Sequence, residues 1–366
     1  MSRRLSVLQV LGRSAGGIAR HVAQITEALD DKDLAVDVAG PTDLPVPMPK
    51  ALIPLDIPDG PRGHSQVVRR LRSYVEQGGY DVLHAHGLRA GIDAALAGRP
   101  LDVPALQTVH NLVRPDVSGR VKAAAYKWAE PLSVRLTKRT FAVSEEIARH
   151  LRGQSPNSAA KIEILYLGVG DPPKVRKSPA EIRAETRLSD DAKLIVTASR
   201  LAPQKALDVM LSAVARLPAN VVLVVLGQGP DEESLKKMAL ALGLAERVRW
   251  LGWRDDGADW INAADVFALS SNWEGVPLAA QEAILLGTPV VSTEVGGMPE
   301  LLADRSSGRL VPKGDPEALA AAMSDVLNSS ETASGYADRA LVDLRRRFST
   351  DQMLARLRGA YEWHAR

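Results

Sequence analysis

The chain contains no cysteine among its 366 residues, which removes disulfides, thiolate nucleophiles and Cys-ligated zinc or iron–sulfur sites together. Nor does it hold a run approaching the ~18–20 uninterrupted apolar residues of a membrane span. The start, Met1-Ser-Arg-Arg-Leu-Ser-Val-Leu-Gln-Val-Leu11, joins basic residues to a short apolar run. That run reads as a first strand, because no h-region of signal-peptide length or small-residue cleavage site follows. A cytoplasmic protein is expected. Low-complexity segments and repeats of solenoid period are also missing. Neither sign of charge dominates: 46 Lys+Arg against 44 Asp+Glu leaves +2, so nothing in the total suggests a nucleic-acid partner. The distribution is less even, with 23 basic and 18 acidic residues in 1–175 against 23 and 26 in the remainder.

What is present is an ordinary soluble composition, 45% hydrophobic and 25% charged, in a chain long enough for two domains of ~100–200 residues. Apolar strand-like runs alternate with amphipathic helical runs throughout, the pattern of α/β folds with parallel sheets. Strands are expected at Leu5–Leu11, Leu34–Ala39, Val82–His84, Ala105–Thr108, Thr140–Val143 and Ile162–Leu165. Helices are expected at Ile18–Leu29 and Val67–Gln77. Periodicity stops at Asp171-Pro-Pro-Lys174, the best linker in the chain. A second cycle follows, with strands at Leu194–Ala198, Val221–Leu226, Val248–Leu251, Asp265–Ala268, Val290–Ser292 and Gly308–Val311, and helices at Leu207–Leu217 and Glu232–Leu242. Met353, Leu357 and Tyr361 then mark a final helix. The expected division is 1–172, 173–347 and 348–366. Two open parallel sheets bind ligands beyond the carboxyl ends of their strands, so the contacts belong on loops after strands and in a cleft between the two domains.

The richest such loop is Trp273-Glu274-Gly275-Val276-Pro277-Leu278-Ala279-Ala280-Gln281-Glu282, followed by Gly287-Thr288-Pro289-Val290-Val291. Pro277 suits the first helical turn and Gly287 a helix stop. Glu274 then stands in the loop and Glu282 about one and a half turns into the helix. Backbone N–H groups from Gly275 to Leu278, at the positive end of the helix dipole, suit a phosphate or a polar sugar edge. After the first strand of the second domain comes Thr197-Ala-Ser-Arg200-Leu-Ala-Pro-Gln-Lys205. Its two cations can converge on a diphosphate, Arg200 as a fork and Lys205 as a point charge. Leu226-Gly227-Gln228-Gly229-Pro230 is a glycine-rich turn, and Gly252-Trp253-Arg254 ends the next strand, where Trp253 reads equally as packing.

In the first domain Gly12-Arg13-Ser14-Ala15-Gly16-Gly17-Ile18 joins strand to helix. It matches neither a nucleotide-triphosphate loop nor Gly-x-Gly-x-x-Gly, but Gly16 and Gly17 allow close approach of a ligand to backbone N–H groups. His110 follows a strand. His84 and His86 could suggest a metal pair, yet no third ligand or Asp-x-Asp motif accompanies them, and no metal is expected. Ser144 before Glu145-Glu146 reads as a helix cap. Basic residues are dense at Arg114, Arg120, Lys122, Lys127, Arg135, Lys138 and Arg139, against Asp116 and Glu130, with Val121, Tyr126, Trp128 and Leu132 interleaved. That segment suits a solvated helix face, a peripheral contact with an anionic membrane or an acidic acceptor.

The Glu-Gly-x-Pro-Leu-x-x-x-Glu pattern, with Gly-x-Pro-Val-Val and Glu294-Val-Gly-Gly-Met-Pro-Glu300, resembles the C-terminal signature of retaining GT-B glycosyltransferases, family 4 above all. The resemblance implies two facing Rossmann-like domains and a last helix that crosses back onto the first. It implies a retaining transfer of a hexose-type sugar from a nucleotide-sugar, UDP- or GDP- first, to a hydroxyl acceptor, with no metal or other cofactor. Glu274 would hold the donor sugar and Glu282 the ribose. Arg200 and Lys205 would bind the pyrophosphate, and Gly16, Gly17 and Gly227 would lie against the donor. The segment Gly275, Val276, Pro277 and Leu278 would receive the donor too, and Trp253 and Arg254 the base. His110 would stand beside the transferred sugar, with His86 and Arg13 on the acceptor side. The family's Gly-Arg-Leu-x-x-x-Lys-Gly is altered here, with Ser199 for the first glycine and Ala206 for the last.

Rival classes fit less well. A nucleotide-sugar epimerase shares the two-domain plan. A pyridoxal-phosphate phosphorylase would need a Schiff-base lysine, and no segment points to one. A periplasmic-type sugar-binding protein would carry a signal peptide and no diphosphate cations, and an NAD-dependent dehydrogenase would carry the missing Gly-x-Gly-x-x-Gly.

Overall fold

The computed structural model describes residues 4–365 except 14, 15, 45, 61, 113–119, 187, 188 and 190, and leaves out the side chains of 120–127. The basic residues from Arg114 to Lys127 therefore lie outside the described residues or side chains. The chain forms two compact units, Met1–Gly168 with Phe348–Arg366, and Val169–Arg347.

Unit 1 contains β1 (Leu5–Leu11), β2 (Leu34–Gly40), β3 (Ile53–Pro54), β4 (Val82–His86), β5 (Ala105–Val109), β6 (Arg139–Ala142) and β7 (Ile162–Ile164). They make one sheet in the order β3-β2-β1-β4-β5-β6-β7, and every pairing is parallel. Helices α1 (Gly16–Leu29), α2 (His64–Gly78) and α3 (Leu88–Gly98) follow β1, β3 and β4. The strands are near-continuous apolar runs because helices cover both faces of the sheet. Strand β4 runs two residues beyond its expected end, so His86 is a buried strand residue rather than the first residue of a loop. Helix α3 escapes a periodicity search because eight of its eleven residues are buried, which leaves no polar face to set a 3.6-residue rhythm.

Unit 2 contains β8 (Lys193–Ala198), β9 (Val221–Leu226), β10 (Val248–Gly252), β11 (Val266–Leu269), β12 (Val290–Thr293) and β13 (Arg309–Val311), in the order β10-β9-β8-β11-β12-β13. All its pairings are parallel as well. All six residues of β9, Val-Val-Leu-Val-Val-Leu, are buried.

Both sheets reverse their strand order once, between β1 and β4 in unit 1 and between β8 and β11 in unit 2. A reversal sends the two flanking loops to opposite faces and opens a crevice at the strands' carboxyl ends, where doubly wound proteins bind ligands.

The helix Thr350–His364 belongs to unit 1. Ser349 caps it by accepting from the Gln352 N–H. Met353, Leu357 and Tyr361 recur at intervals of four, so they share one face, and that face packs with Val7, Ile25, Leu34 and Val36. Gln24 Nε2 donates to Thr350 Oγ1 at 3.3 Å, and Arg358 reaches Asp31 at 2.5 Å.

Candidate active site

Three loops at the carboxyl end of the unit 2 sheet converge on Glu274. Lys205, on the loop after β8, places Nζ 2.5 Å from Glu274 Oε1. Ser271 Oγ donates to the same oxygen at 2.6 Å. The side chains are 18% and 6% exposed, so the pair is shielded from most solvent screening. The loops are tied by backbone as well. Asn272 N–H donates to Gln204 O at 2.8 Å, Gln204 Nε2 to Trp273 O at 3.0 Å, and Ser270 Oγ to Lys205 O at 2.9 Å. Gly296 on the loop after β12 has φ 58°, and a Cβ there would stand 2.2 Å from Glu274 O. Only glycine lets this third loop lie against the second.

Arg200 stands on the same loop as Lys205 but is exposed, with no hydrogen bond or ion pair to another described residue. One cation is thus held by a carboxylate while the other is open to an anion. The two departures from the family pattern on this loop differ in cost. Ser199 keeps an ordinary negative φ, whereas Ala206 sits at φ 45°, ψ 49° as the residue that starts the Leu207–Val214 helix. An L-residue in that region pays roughly 1–2 kcal/mol in steric strain.

Gly227 has φ 125°, and a Cβ on it would meet Ser199 O at 2.0 Å; one on Gly229 would meet Leu201 O at 2.1 Å. Both glycines therefore let the turn after β9 pack against the Arg200 loop. Gly275, Val276 and Pro277 are buried and Leu278 is half-buried. Pro277 proves to be the residue before the helix Leu278–Leu285 rather than inside its first turn. No side chain at the Pro277 N-cap position hydrogen-bonds that helix, which leaves its first N–H groups without that cap. Glu282 lies in the helix, half-buried. Trp253 is 74% exposed, not packed. Arg254 is engaged by the protein: its guanidinium grips Asp256 at 2.6 Å on both oxygens, reaches Glu185 at 3.3 Å, and lies 5.4 Å over the Trp260 ring.

In unit 1 the loops after β1 and β4 frame a pocket of about 160 Å³ lined by Gly12, Arg13, His86, Arg89 and His110, among others. Gly16 and Gly17 form the first turn of α1. Arg13 is held by Asp43 at 3.0 Å and Asp56 at 3.3 Å, and Arg89 by Asp59 at 2.7 Å. His86 Nδ1 and His110 Nε2 are 3.1 Å apart, while His86 Nε2 meets Gln9 Oε1 at 2.8 Å. His84 points instead to Tyr361 and Thr108. Burial holds these imidazoles neutral, lowering the His84 pKa to about 3 and those of His86 and His110 well below the ordinary value.

A fourth imidazole, His21 on α1, was not expected, because its position reads as part of a core-facing helix. It is buried with both ring nitrogens unpartnered, and burial lowers its pKa to about 4. His21, His86 and His110 bring ring nitrogens within 4.8 Å of one another, the arrangement among the described residues that could hold a metal ion. His86 and His110 already bond each other, however, and no carboxylate belongs to the group to offset an ion's charge. Ser144 caps its helix by accepting from the Ile147 N–H. Glu130 is buried against His150 at 2.8 Å, and Trp128 on the same helix is 82% exposed.

Two open parallel sheets, each with its loops gathered at a switch point, fit the GT-B class. The family model for glycosyl transferases group 1 matches residues 179–341, and that for glycosyltransferase family 4 matches residues 15–171. D-inositol 3-phosphate glycosyltransferase from Mycobacteroides abscessus is 30% identical over 338 residues, 89% of this chain and 74% of that protein. The Streptomyces avermitilis protein of the same name is 32% identical over 276 residues, 68% of this chain and 58% of its own. The fold is that of HepE from Anabaena, solved with UDP-glucose (TM-score 0.82, 20% identity, 98% of this chain and 100% of that one). It is equally that of sucrose-phosphate synthase from Thermosynechococcus elongatus (TM-score 0.86, 21% identity, 98% and 99%). The chain belongs to the family 4 glycosyltransferases.

Proposed function

We propose that this enzyme moves a hexose from a nucleotide-sugar, UDP- or GDP-linked, to a hydroxyl acceptor, with retention at the anomeric carbon and without a metal at the diphosphate. The observation that carries the reading is the shielded Lys205–Glu274 pair beside an exposed Arg200 on one loop. As the bond from sugar to phosphate breaks, negative charge grows on the diphosphate and the sugar becomes oxocarbenium-like. Arg200, Lys205 and the uncapped helix start at Leu278 stabilise the first. Glu274 orients the sugar hydroxyls, and its bond to Lys205 keeps both groups in place before the donor arrives. A front-face route, in which the leaving phosphate accepts the acceptor's proton, needs no covalent nucleophile.

HepE was solved with UDP-glucose, which makes that donor the first to try. The inositol phosphate in the names of the curated relatives makes phosphorylated and plain cyclitols the first acceptors. No helix among the described residues is long and apolar enough to cross a membrane. The exposed Trp128, with Arg135 and Lys138 exposed further along the same segment, supports a peripheral contact at an anionic inner membrane face. Thermal stabilisation and hydrolysis measured with UDP-, GDP-, ADP- and dTDP-sugars test the donor reading. Neither response to any of them would sink it.

A further inference from the structure

The hydrogen bonds around the unit 1 histidines allow two orders of protons, set by which way the Gln9 amide faces. Gln9 Nε2 donates to the Tyr361 hydroxyl oxygen at 3.0 Å. The hydroxyl's own proton is then directed to His84 Nδ1, 2.6 Å away. A neutral His84 carries its one proton on Nε2 and donates to Thr108 Oγ1 at 2.8 Å. On the other arm, Gln9 Oε1 can only accept, so His86 is protonated at Nε2 and bare at Nδ1. His110 Nε2, 3.1 Å from that bare nitrogen, must be the donor. A neutral His110 therefore bears its lone pair on Nδ1. In this order all three imidazoles adopt the Nε2–H form, which is the more stable one for a free neutral histidine side chain. Turning the Gln9 amide over would reverse every proton and impose the less stable form on all three.

We infer that Gln9 and Tyr361 are positioning residues that act through His86 to hold His110 as its Nε2–H tautomer, so that His110 meets a hydroxyl-bearing substrate as a hydrogen-bond acceptor at Nδ1. Gln9 lies on β1 and Tyr361 on the Thr350–His364 helix, 352 residues apart, and neither lines the pocket as described. Their burial and the neutral state of the cluster make the arrangement stiff, because a buried network loses more than it gains if one member is left unpaired. The groups facing His110 are His86 and His21, with His84 one ring further on. No acid stands among them to draw a second proton onto the chain. What His110 does in transfer rests on the proposed function; its tautomer does not.

Long-range proton–nitrogen NMR on the full-length, ¹⁵N-histidine-labelled protein at pH 7.5 reads the tautomer directly. The expected spectrum has His110 protonated at Nε2 and unprotonated at Nδ1. Gln9→Leu removes the acceptor of the His86 Nε2–H, and Tyr361→Phe removes the partner that orients the Gln9 amide, so both should give averaged His86 and His110 ring signals. With UDP-glucose as probe, each should lower kcat/KM by about 10-fold. If Tyr361→Phe fails to fold, Gln9→Leu carries the test. A wild-type His110 protonated at Nδ1 overturns the inference, as do variants whose ring signals and kcat/KM match wild type. If UDP-glucose is not turned over, the spectra alone decide, and the transfer reading stands or falls separately.

Discussion

Unit 1 and unit 2 share an architecture and put opposite kinds of polarity at their switch points. In unit 1 the buried groups are neutral imidazoles, an amide and a phenol joined end to end, and the arginines at the pocket rim are matched by Asp43, Asp56 and Asp59. In unit 2 they are formal charges, Lys205 on Glu274 with Arg200 left open. A neutral network discriminates hydroxyl groups by geometry and barely attracts ions, while an incompletely matched set of charges attracts an anion. Under the proposed function, that contrast assigns the acceptor to unit 1 and the donor to unit 2.

The comparison breaks most sharply at Lys205. Lys205→Met should lower kcat by about 10²–10³-fold and, by leaving the Glu274 carboxylate buried without its cation, cost roughly 3 kcal/mol of stability. Adding Glu274→Gln should restore the stability and not the activity; turnover assays and urea unfolding of the two variants separate these effects. Arg200→Ala should cut activity by about 10-fold or more with melting unchanged, since no described residue depends on it.

Acid should separate the units next. His84 and His21 titrate at about 3 and 4 when folded, against 6.5 as the ordinary value. Their unfolded forms take up protons first, so their contribution is complete above pH 6.5 and is lost as pH falls toward 4 and then 3. In unit 2, Asp256 is depressed below 3.8 by its hydrogen bond from Arg254; its contribution persists down to about that pH and is lost only below it. Hydrogen exchange followed from pH 7 to 4 should show unit 1 amides losing protection before those of unit 2. Simultaneous loss would contradict the contrast. Smaller still, Ala206→Gly should raise stability by about 0.5 kcal/mol, the relief of left-handed strain less the entropy of glycine, read as a shift in the urea midpoint.

How much of this was legible in the sequence depended on the range of the interaction. Strand and helix placement came from local periodicity, and the strands that lead into the Arg200 and Glu274 loops stand within a residue or two of their expected bounds. The reach of β4 through His86 was missed because alternating His-Ala-His reads as a strand end, not as a buried polar row. The Lys205–Glu274 pair joins positions 69 apart, and Gln9, His86 and Tyr361 meet only after the sheet and the last helix have assembled. No spacing rule encodes such meetings. Arg254 looked available beside Gly252, but Asp256, two residues on, holds its guanidinium, a competition that local sequence could have raised.

The packing of Met353, Leu357 and Tyr361 against Val7, Ile25, Leu34 and Val36 also orders events during synthesis. Chain emerging from a ribosome presents β1 to β7 early, yet one of the helices that cover this face of the sheet is missing until residue 361 is made. Unit 2, continuous from Val169 to Arg347, can close first. The segment translated earliest is thus the last to mature, and in the interval β1 and β2 expose an apolar face of the kind that chaperones bind.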